Sequence, residues 1–488
     1  MQKELSDYPN RRTMLGIMAA SPLATMMAVQ SKAEELPEER DIKMKPNILL
    51  IHCHDLGQYL QCYGVPTVQT PHLDQFATEG VLFERAFCTA PQCSPSRASM
   101  FTGRYPHNNG VMGLAHANFA WDLHPEEKHL GQLLKESGYR TAGVGVLHET
   151  NSGWQRCGFD SYDPQSFVEP AVDKALERLE NLAENNDSPF YMQVGFIEPH
   201  RLPQPDRTKD MGFIVPGIDP DSEKGIWVPG YLDDTSGTLE ELAELQGLVH
   251  FLDAHVGRLL DGIDELGLRD NTLVIFVTDH GVAMPRAKCS LYDPGLEIAL
   301  MLRLPAHNGW HGGKRIKHMI SNMDMLPSLM ELIGEPVPAN VQGKSFAPLL
   351  EGNEYEPHHT LFGEITYHDY YDPRRCIRTE KWKLIANFSA APAFMDPSQS
   401  WRPRADTVTP ANHAHAYHTH FELYDLENDP WEQENLVGND SHSEIRDTLM
   451  QQLFKHLHDT QDTILDAAVT SPMHTSVVQK LRDAGTTV

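Results

Sequence analysis

The stretch CTAPQCSPSRASMFTGRYPHNNGV occupies residues 88–111. At its centre, Cys93-Ser94-Pro95-Ser96-Arg97 brings together a thiol, a proline and a permanent cation. Proline is preset for the first turn of a helix, and glycine commonly closes one. The spacing therefore predicts a helix from Pro95 through Thr102, stopped by Gly103. Cys93 would sit just before it, near free backbone N–H groups and the positive helix end, a place that favours an anion. Arg97 lies four residues on, one turn away and on the same side. Read alone, these residues describe either an activated cysteine nucleophile or a structural thiol in a turn.

On either side of this stretch the chain alternates strand and helix signals. Ile48-Leu49-Leu50-Ile51, Phe190–Phe196 and Thr272–Thr278 are apolar runs of buried-strand length. Tyr139–Gly145 reads as a further strand. Helices are predicted from Thr70-Pro71 to Gly80, over Leu130–Ser137 ahead of Gly138, and over Thr238 to Leu266. This alternation, from residue 46 to about 350, indicates a doubly wound α/β sheet. After Pro357 the pattern changes to short strands at Leu361–Tyr367, Cys376–Arg378, Trp382–Ala386 and Glu422–Tyr424, with a helix over Ser443–His458. The organisation expected is a large catalytic domain at 45–355, a smaller α+β subdomain with an antiparallel sheet at 356–465, and a tail at 466–488.

Polar clusters fall where strands end: HCHD after the first, Glu198-Pro199-His200 after another, Asp279-His280-Gly281 after a third. Ligand sites in open α/β sheets lie at the carboxyl ends of strands. The formal charge of −28 argues against nucleic acid and anionic membranes as partners. Seven cysteines at scattered positions, with no CxxC pair, imply no disulfide framework. At the N-terminus, Arg11-Arg12 precedes a moderately apolar run from Met14 to Val29, broken by Ser21-Pro22 and too short to span a membrane comfortably. With the small-residue site near Ala33, residues 1–33 read as an export signal of the twin-arginine type, placing the protein in the periplasm or outside the cell. The tract Asn412 to His420 is rich in histidine and reads as a loop.

The run around Cys93 resembles the signature of the type I sulfatases, and the resemblance extends from Lys45 to about Val437. It includes Lys45-Pro46-Asn47-Ile48, Thr70-Pro71-His72-Leu73-Asp74, the strand ending in Glu198-Pro199-His200, Ser290-Leu291-Tyr292, and Phe421 through Asp425 with Asp429-Pro430. Within the alkaline phosphatase superfamily the chain is most similar to the sulfamidases, or heparan N-sulfatases. The resemblance implies an α/β/α sandwich with a mostly parallel central sheet and a smaller C-terminal antiparallel sheet. It implies that Cys93 is converted to formylglycine by a formylglycine-generating or sulfatase-maturating enzyme, and that a sulfated carbohydrate is the substrate. The implied metal ligands are His54, Asp55, Asp279, His280 and an oxygen of converted Cys93. By the same resemblance Arg97 stabilises the nucleophile, His148 acts as the base when sulfate is expelled, and His200 and Lys288 contact sulfate or protonate the leaving group.

The chain leaves the family pattern at two positions. His54 stands where relatives carry a second aspartate. Hard oxygen ligands suit calcium, the first expectation, whereas two imidazoles would favour manganese, iron or zinc. Val146 stands where relatives carry a lysine, and losing a charge-assisted contact to sulfate costs ~1.5–3 kcal/mol. Arg201, Arg374 and Arg375 are candidates to replace it, and pocket specificity is expected in the loops around 200–235 and 367–420. His54 and His280 keep open a phosphonate or phosphate monoester hydrolase of the same fold. Val146 and His54 keep open a non-catalytic glycan-binding protein, against which the intact Cys93, Pro95 and Arg97 argue.

Overall fold

In the computed structural model, which describes residues 45–184, 187–204, 207–390, 404–408 and 417–485, the run Ile48–Ile51 forms the middle of β1 (Asn47–Cys53) with no exposed side chain. The succeeding elements are α1 (Pro71–Glu79), β2 (Val81–Phe87), α2 (Cys93–Thr102), α3 (Leu130–Glu136), β3 (Arg140–Gly145), α4 (Val168–Glu184), β4 (Phe190–Gly195), α5 (Ser236–Glu265), β5 (Thr272–Thr278), β6 (Leu300–Arg303), β7 (Lys314–Ser321) and α6 (Met325–Leu332). Among the described residues the main sheet runs β7-β2-β6-β5-β1-β4-β3, continued by a short strand at Ser161–Asp163, with Glu297–Ile298 pairing on β2. It is mostly parallel. β6 runs antiparallel between β5 and β2, an inversion that the strand–helix alternation did not foretell.

The period-two alternation of β1 explains the layering. Leu49 and Ile51 face one core together with α1, α4 and α5, whereas Ile48 and Leu50 face a second core with α2, α3 and α6. Both faces of the sheet are therefore covered, and strands buried on both faces read as unbroken apolar runs. The helix over α2 begins at Cys93, two residues before the position that proline preference suggested. Extended Gln92 is its N-cap, and Ser96 N–H bonds to Gln92 O at 3.0 Å. Pro95 then falls within the first turn, where its missing N–H costs no intrahelical bond.

The C-terminal strands β8 (Thr360–Tyr367), β9 (Tyr371–Thr379), β10 (Trp382–Asn387) and β11 (Phe421–Asp425) form a separate antiparallel sheet in that order. α7 (Ser443–Asp459) lays Leu449, Leu453 and Leu457 on Ile377, Leu384 and Leu423. Ala98 of α2 belongs to the same cluster, so the small sheet rests on the helix that begins with Cys93. The stretch expected to be a tail contains α8 (Pro472–Gly485), which has no buried side chain. Residues 1–33, including the proposed signal, and Asn412–Ala416 of the histidine tract lie outside the described residues. From that tract, His418 Nδ1 lies 3.2 Å from Glu422 Oε1. No helix among the described residues is long and apolar enough to cross a membrane.

Candidate active site

Four adjacent parallel strands deliver the polar clusters to one edge of the sheet. β1 pairs with β5 in the register Cys53↔Thr278, so His54-Asp55 and Asp279-His280 emerge side by side. β3 pairs with β4 in the register Gly145↔Gly195, which brings out His148 and His200 on the other flank. This last crossing is tight. A Cβ on Gly145 would stand 1.9 Å from Gly195 O, and Gly145 has φ +86°, so only glycine fits. Asp55 itself has φ +51°, a left-handed conformation uncommon for a non-glycine residue. Its N–H bonds to Asp279 Oδ1 at 3.0 Å.

Cys93, at the first turn of α2, enters this group from the opposite side. Its Sγ lies 3.4 Å from His280 Nε2 and 3.8 Å from Asp55 Oδ1. Arg97, one turn on, donates from Nε to Asp279 Oδ2 at 3.2 Å and from Nη2 to Cys53 O at 3.2 Å, and its Nη1 meets His52 Nδ1. Lys288 Nζ donates to Asp55 Oδ2 at 2.7 Å and lies 3.2 Å from His200 Nε2. His200 Nδ1 lies 2.6 Å from Arg201 O, a contact that places a proton on Nδ1.

The electrostatics follow from this crowding. Burial opposes charge on Asp55, yet His200 and Lys288 hold its carboxyl well below the ordinary range. Burial likewise pushes the Cys93 thiol up, but Lys288 and His280 outweigh it and draw the group well below its usual value. Burial lowers His280 less than Asp279, Cys93 and Asp55 raise it, to about 10. The field at His280 Nε2 thus favours a positive charge, whether a proton or a metal ion. His148 goes the other way: burial and the neighbouring His54 push it down to about 3, so its imidazole is neutral.

Two overlapping sets, His54-Asp55-Cys93-His200 and Asp55-Cys93-Asp279-His280, have their ligating atoms within 4.8 Å of one another. Their donors fit a divalent cation. His280 Nδ1 is 2.9 Å from Gly281 O, which places the proton there and turns the Nε2 lone pair toward Asp55 and Cys93. His54 is fully buried, its Nδ1 lies 3.2 Å from Asp279 Oδ2, and its Nε2 makes no hydrogen bond among the described residues. Buried polar atoms are nearly always satisfied, so Nε2 of this ring has capacity left for a ligand.

A cavity of about 230 Å³ opens on Asp55, Cys93, His148, His200 and Lys288. His116, His368 and Asp369 also line it. Sequence reading did not single out these three, although His368-Asp369 directly follows a predicted strand end and lies within the loops expected to set specificity. His116 stacks on His148 with ring centroids 5.0 Å apart. Also missed was Glu149. Its Oε2 accepts His148 N–H at 2.8 Å, its Oε1 accepts Gln193 Nε2 at 3.0 Å, and His129 Nε2 lies 3.4 Å away. Burial would raise this carboxyl, but His129 and the nearby His52 and Arg97 hold it down to about 2.

Of the arginines considered as substitutes for the missing lysine, only Arg201 reaches the cavity. Its guanidinium is already paired with both oxygens of Glu241, at 2.6 and 3.1 Å. Arg374 pairs with Asp372 in β9, and Arg375 with Asp462. Neither of these two lines the cavity, because both side chains are consumed by carboxylates of the C-terminal layer. Val146 is buried in the main-chain ladder after β3, its N–H bonded to Gly195 O at 2.9 Å.

Residues 46–335 match the family described as Sulfatase, and residues 285–396 match the family described as N-sulphoglucosamine sulphohydrolase, C-terminal. The chain is 28% identical to an ulvan-active sulfatase of Formosa agariphila, over 90% of this chain and 85% of the relative. It is 28% identical to human N-sulphoglucosamine sulphohydrolase, over 85% of this chain and 90% of the relative. A solved structure of a protein in complex with its substrate D-glucosamine-2-N,6-O-disulfate has a similar fold, with a TM-score of 0.64 and 20% identity over 86% of this chain and 98% of that one.

Proposed function

This chain belongs to the sulfatase family and hydrolyses sulfate esters or sulfamates; from that premise we propose that it acts on a sulfated glycan in the cavity that opens on Cys93. The observation that carries the assignment is the place of Cys93. It stands at the first turn of α2 with Lys288 and His200 beyond Asp55 on one flank, and His54, Asp279 and His280 on the other. Conversion of Cys93 to formylglycine by a maturation enzyme supplies a hydrated aldehyde, whose hydroxyl is the nucleophile toward sulfur. The glycan substrate is supported by the relatives, which act on ulvan and on N-sulphoglucosamine by name.

The cation would be held by His54, Asp55, Asp279, His280 and residue 93, and when bound it supplies positive charge that lowers the pKa of a hydroxyl. Two carboxylates alone would keep calcium in first place. The buried ring of His54, beside Asp279, and the oriented lone pair of His280 add nitrogen donors, which moves the preference toward manganese, iron or zinc. Elemental analysis of the purified protein tests this.

The chain's own groups divide the remaining work. Arg97 ties Asp279 to the backbone of β1 and adds a permanent charge behind the nucleophile. Neutral His148, with Nδ1 unpartnered among the described residues, is placed to take a proton from residue 93. Lys288 carries protons into the cavity, with His200 Nε2 3.2 Å from its Nζ. Lys288 is therefore the donor to the leaving group or to a sulfate oxygen, and His200 orients it. Arg201 contributes shape more than charge, because Glu241 neutralises it.

Peptide mapping across Cys93, in protein from its native host, tests the assignment. The expected peptide has lost sulfur and gained an aldehyde oxygen. An unconverted thiol in active protein, or full turnover of 4-methylumbelliferyl sulfate by Cys93→Ala, overturns it. The two imidazoles favour a secondary phosphoester activity, which paired aryl sulfate and aryl phosphate substrates would measure. Export through residues 1–33 is tested by replacing Arg11 and Arg12 with lysine and following the protein by cell fractionation.

A further inference from the structure

A second cavity, also of about 230 Å³, shares two loops with the first. Leu56 and Gly57, next to Asp55, line it, as does Val282, next to Ala283. Its walls are aromatic: Tyr59, Tyr63, Trp227, Tyr231 and Trp431. The rings are tilted against one another, with centroids 6.1 Å apart for Tyr59 and Trp227, 6.3 Å for Trp227 and Trp431, and 5.7 Å for Tyr231 and Trp431. Tyr59 and Tyr231 are buried, while the two tryptophans stay half-exposed. Gly230 makes room for one of them, since a Cβ there would stand 2.4 Å from Trp431 Nε1.

Gln58, Glu297 and the tyrosine hydroxyls interrupt this aromatic lining. Gln58 Nε2 donates to the carbonyls of Glu84 and Ile298, and the Tyr59 and Tyr63 hydroxyls to those of Trp227 and Leu300, which leaves half-buried Glu297 and the Tyr231 hydroxyl as polar groups open to a ligand. Burial and neighbouring Asp293 push Glu297 up to about 8, so at neutral pH it offers both a donor and an acceptor. Among the described residues no lysine, arginine or histidine lines this cavity, in contrast to the first, so no cation stands ready for a sulfate group. An uncharged ring with apolar C–H faces and peripheral hydroxyls matches both the aromatic walls and the two free polar groups.

We propose that this cavity is a second carbohydrate site that binds an uncharged hexopyranose unit of the glycan, its C–H faces against Trp227 and Trp431 and its hydroxyls on Glu297 and Tyr231. The proposal rests on the glycan reading of the first cavity. It makes the enzyme two-pronged: one pocket takes the sulfated residue and the other an unsulfated unit. Linked binding of this kind raises affinity for a polymer without changing the chemistry on a small substrate.

The test uses the full chain with N,N′-diacetylchitobiose and cellobiose as probes, read by saturation-transfer NMR. The expected result is transfer to the ring C–H protons of at least one disaccharide, strongly reduced in both Trp431→Ala and Tyr231→Phe. Tyr231→Phe keeps the ring and its packing, so it still reports if Trp431→Ala misfolds. Both variants should turn over 4-methylumbelliferyl sulfate at the parental rate, while their KM for a polymeric sulfated glycan rises about tenfold. Absence of transfer in the parent, or undiminished transfer in both variants, overturns the proposal. Failure of the sulfatase reading shows separately, as absent aryl sulfate turnover with disaccharide binding intact.

Discussion

Arg97 and Arg375 are both 1% exposed, and both are tied to a carboxylate. Their surroundings differ in what is left over. Arg375 spends its donors on both oxygens of Asp462 and on the carbonyls of Ile365 and Arg374, and Asp462 Oδ1 also accepts Ile464 N–H at 3.1 Å. The ion pair fastens β9 to the turn after α7, and the polar atoms of Arg375 and Asp462 are used up on protein groups. Arg97 and Asp279 instead stand in a cluster where His54 Nε2 makes no hydrogen bond among the described residues and Cys93 faces a cavity. A buried charge whose partners are all protein atoms points to architecture. A buried charge in a cluster with unmet ligating capacity points to something that must bind.

The sharpest way to break this comparison is to remove each arginine. Arg97→Leu should lower kcat for an aryl sulfate at least about 10³-fold, because it strips charge from behind residue 93 and frees Asp279. Arg375→Leu should leave kcat per folded molecule unchanged and lower stability by about 3–5 kcal/mol, since buried Asp462 loses its guanidinium partner. Urea unfolding and active-site titration separate the two outcomes. If Arg375→Leu lost kcat with its stability intact, the closed region would belong to the site after all.

A smaller effect tests how closed the C-terminal layer is. Glu422 accepts from Tyr292, Tyr424 and Asn387 and lies beside His418. Burial would raise its carboxyl, but His418 and these donors hold it down to about 2 from an ordinary 4.5. A depressed folded-state value stabilises the protein above the unfolded pKa. Its contribution is therefore complete above pH 4.5 and is lost as pH falls toward 2, amounting to about 3 kcal/mol. In Glu422→Gln the decline between these pH values should shrink by that amount in acid-dependent urea titrations.

How much of this was legible in the sequence depended on the distance between partners. The apolar runs of β1 and β5 report their own burial, and His54-Asp55 and Asp279-His280 follow those runs directly, so their convergence follows from parallel pairing. The Lys288–Asp55 pair spans 233 positions, and the family resemblance named both residues without their pairing. Arg374 and Arg375 looked available because a sequence shows charge without its partner, and Asp462 lies 87 residues beyond Arg375. β6 escaped notice because a short buried strand has the same composition in either direction. Glu149 escaped for a different reason: a glutamate after a candidate histidine reads as an ordinary polar residue until the fold buries it.

Glu149 also sharpens how the open cluster is held in place. One of its oxygens fixes the backbone of His148, and the other reaches Gln193, whose Nε2 lies 3.2 Å from His52 Nε2; His52 in turn meets Arg97. A single carboxylate thus braces both the neutral imidazole in the cavity and the arginine behind residue 93. Glu149→Gln preserves shape and removes the charge, so the fold should survive. Partners of this kind cost about 10–100-fold when altered, and the loss should fall on kcat with KM nearly unchanged, because Glu149 does not line the cavity. The same variant should leave the Arg375 region untouched, with no change in the acid-dependent stability carried by Glu422. A loss confined to KM, or a drop in stability matching that of Arg375→Leu, would place Glu149 with the closed architecture and not with the site it braces.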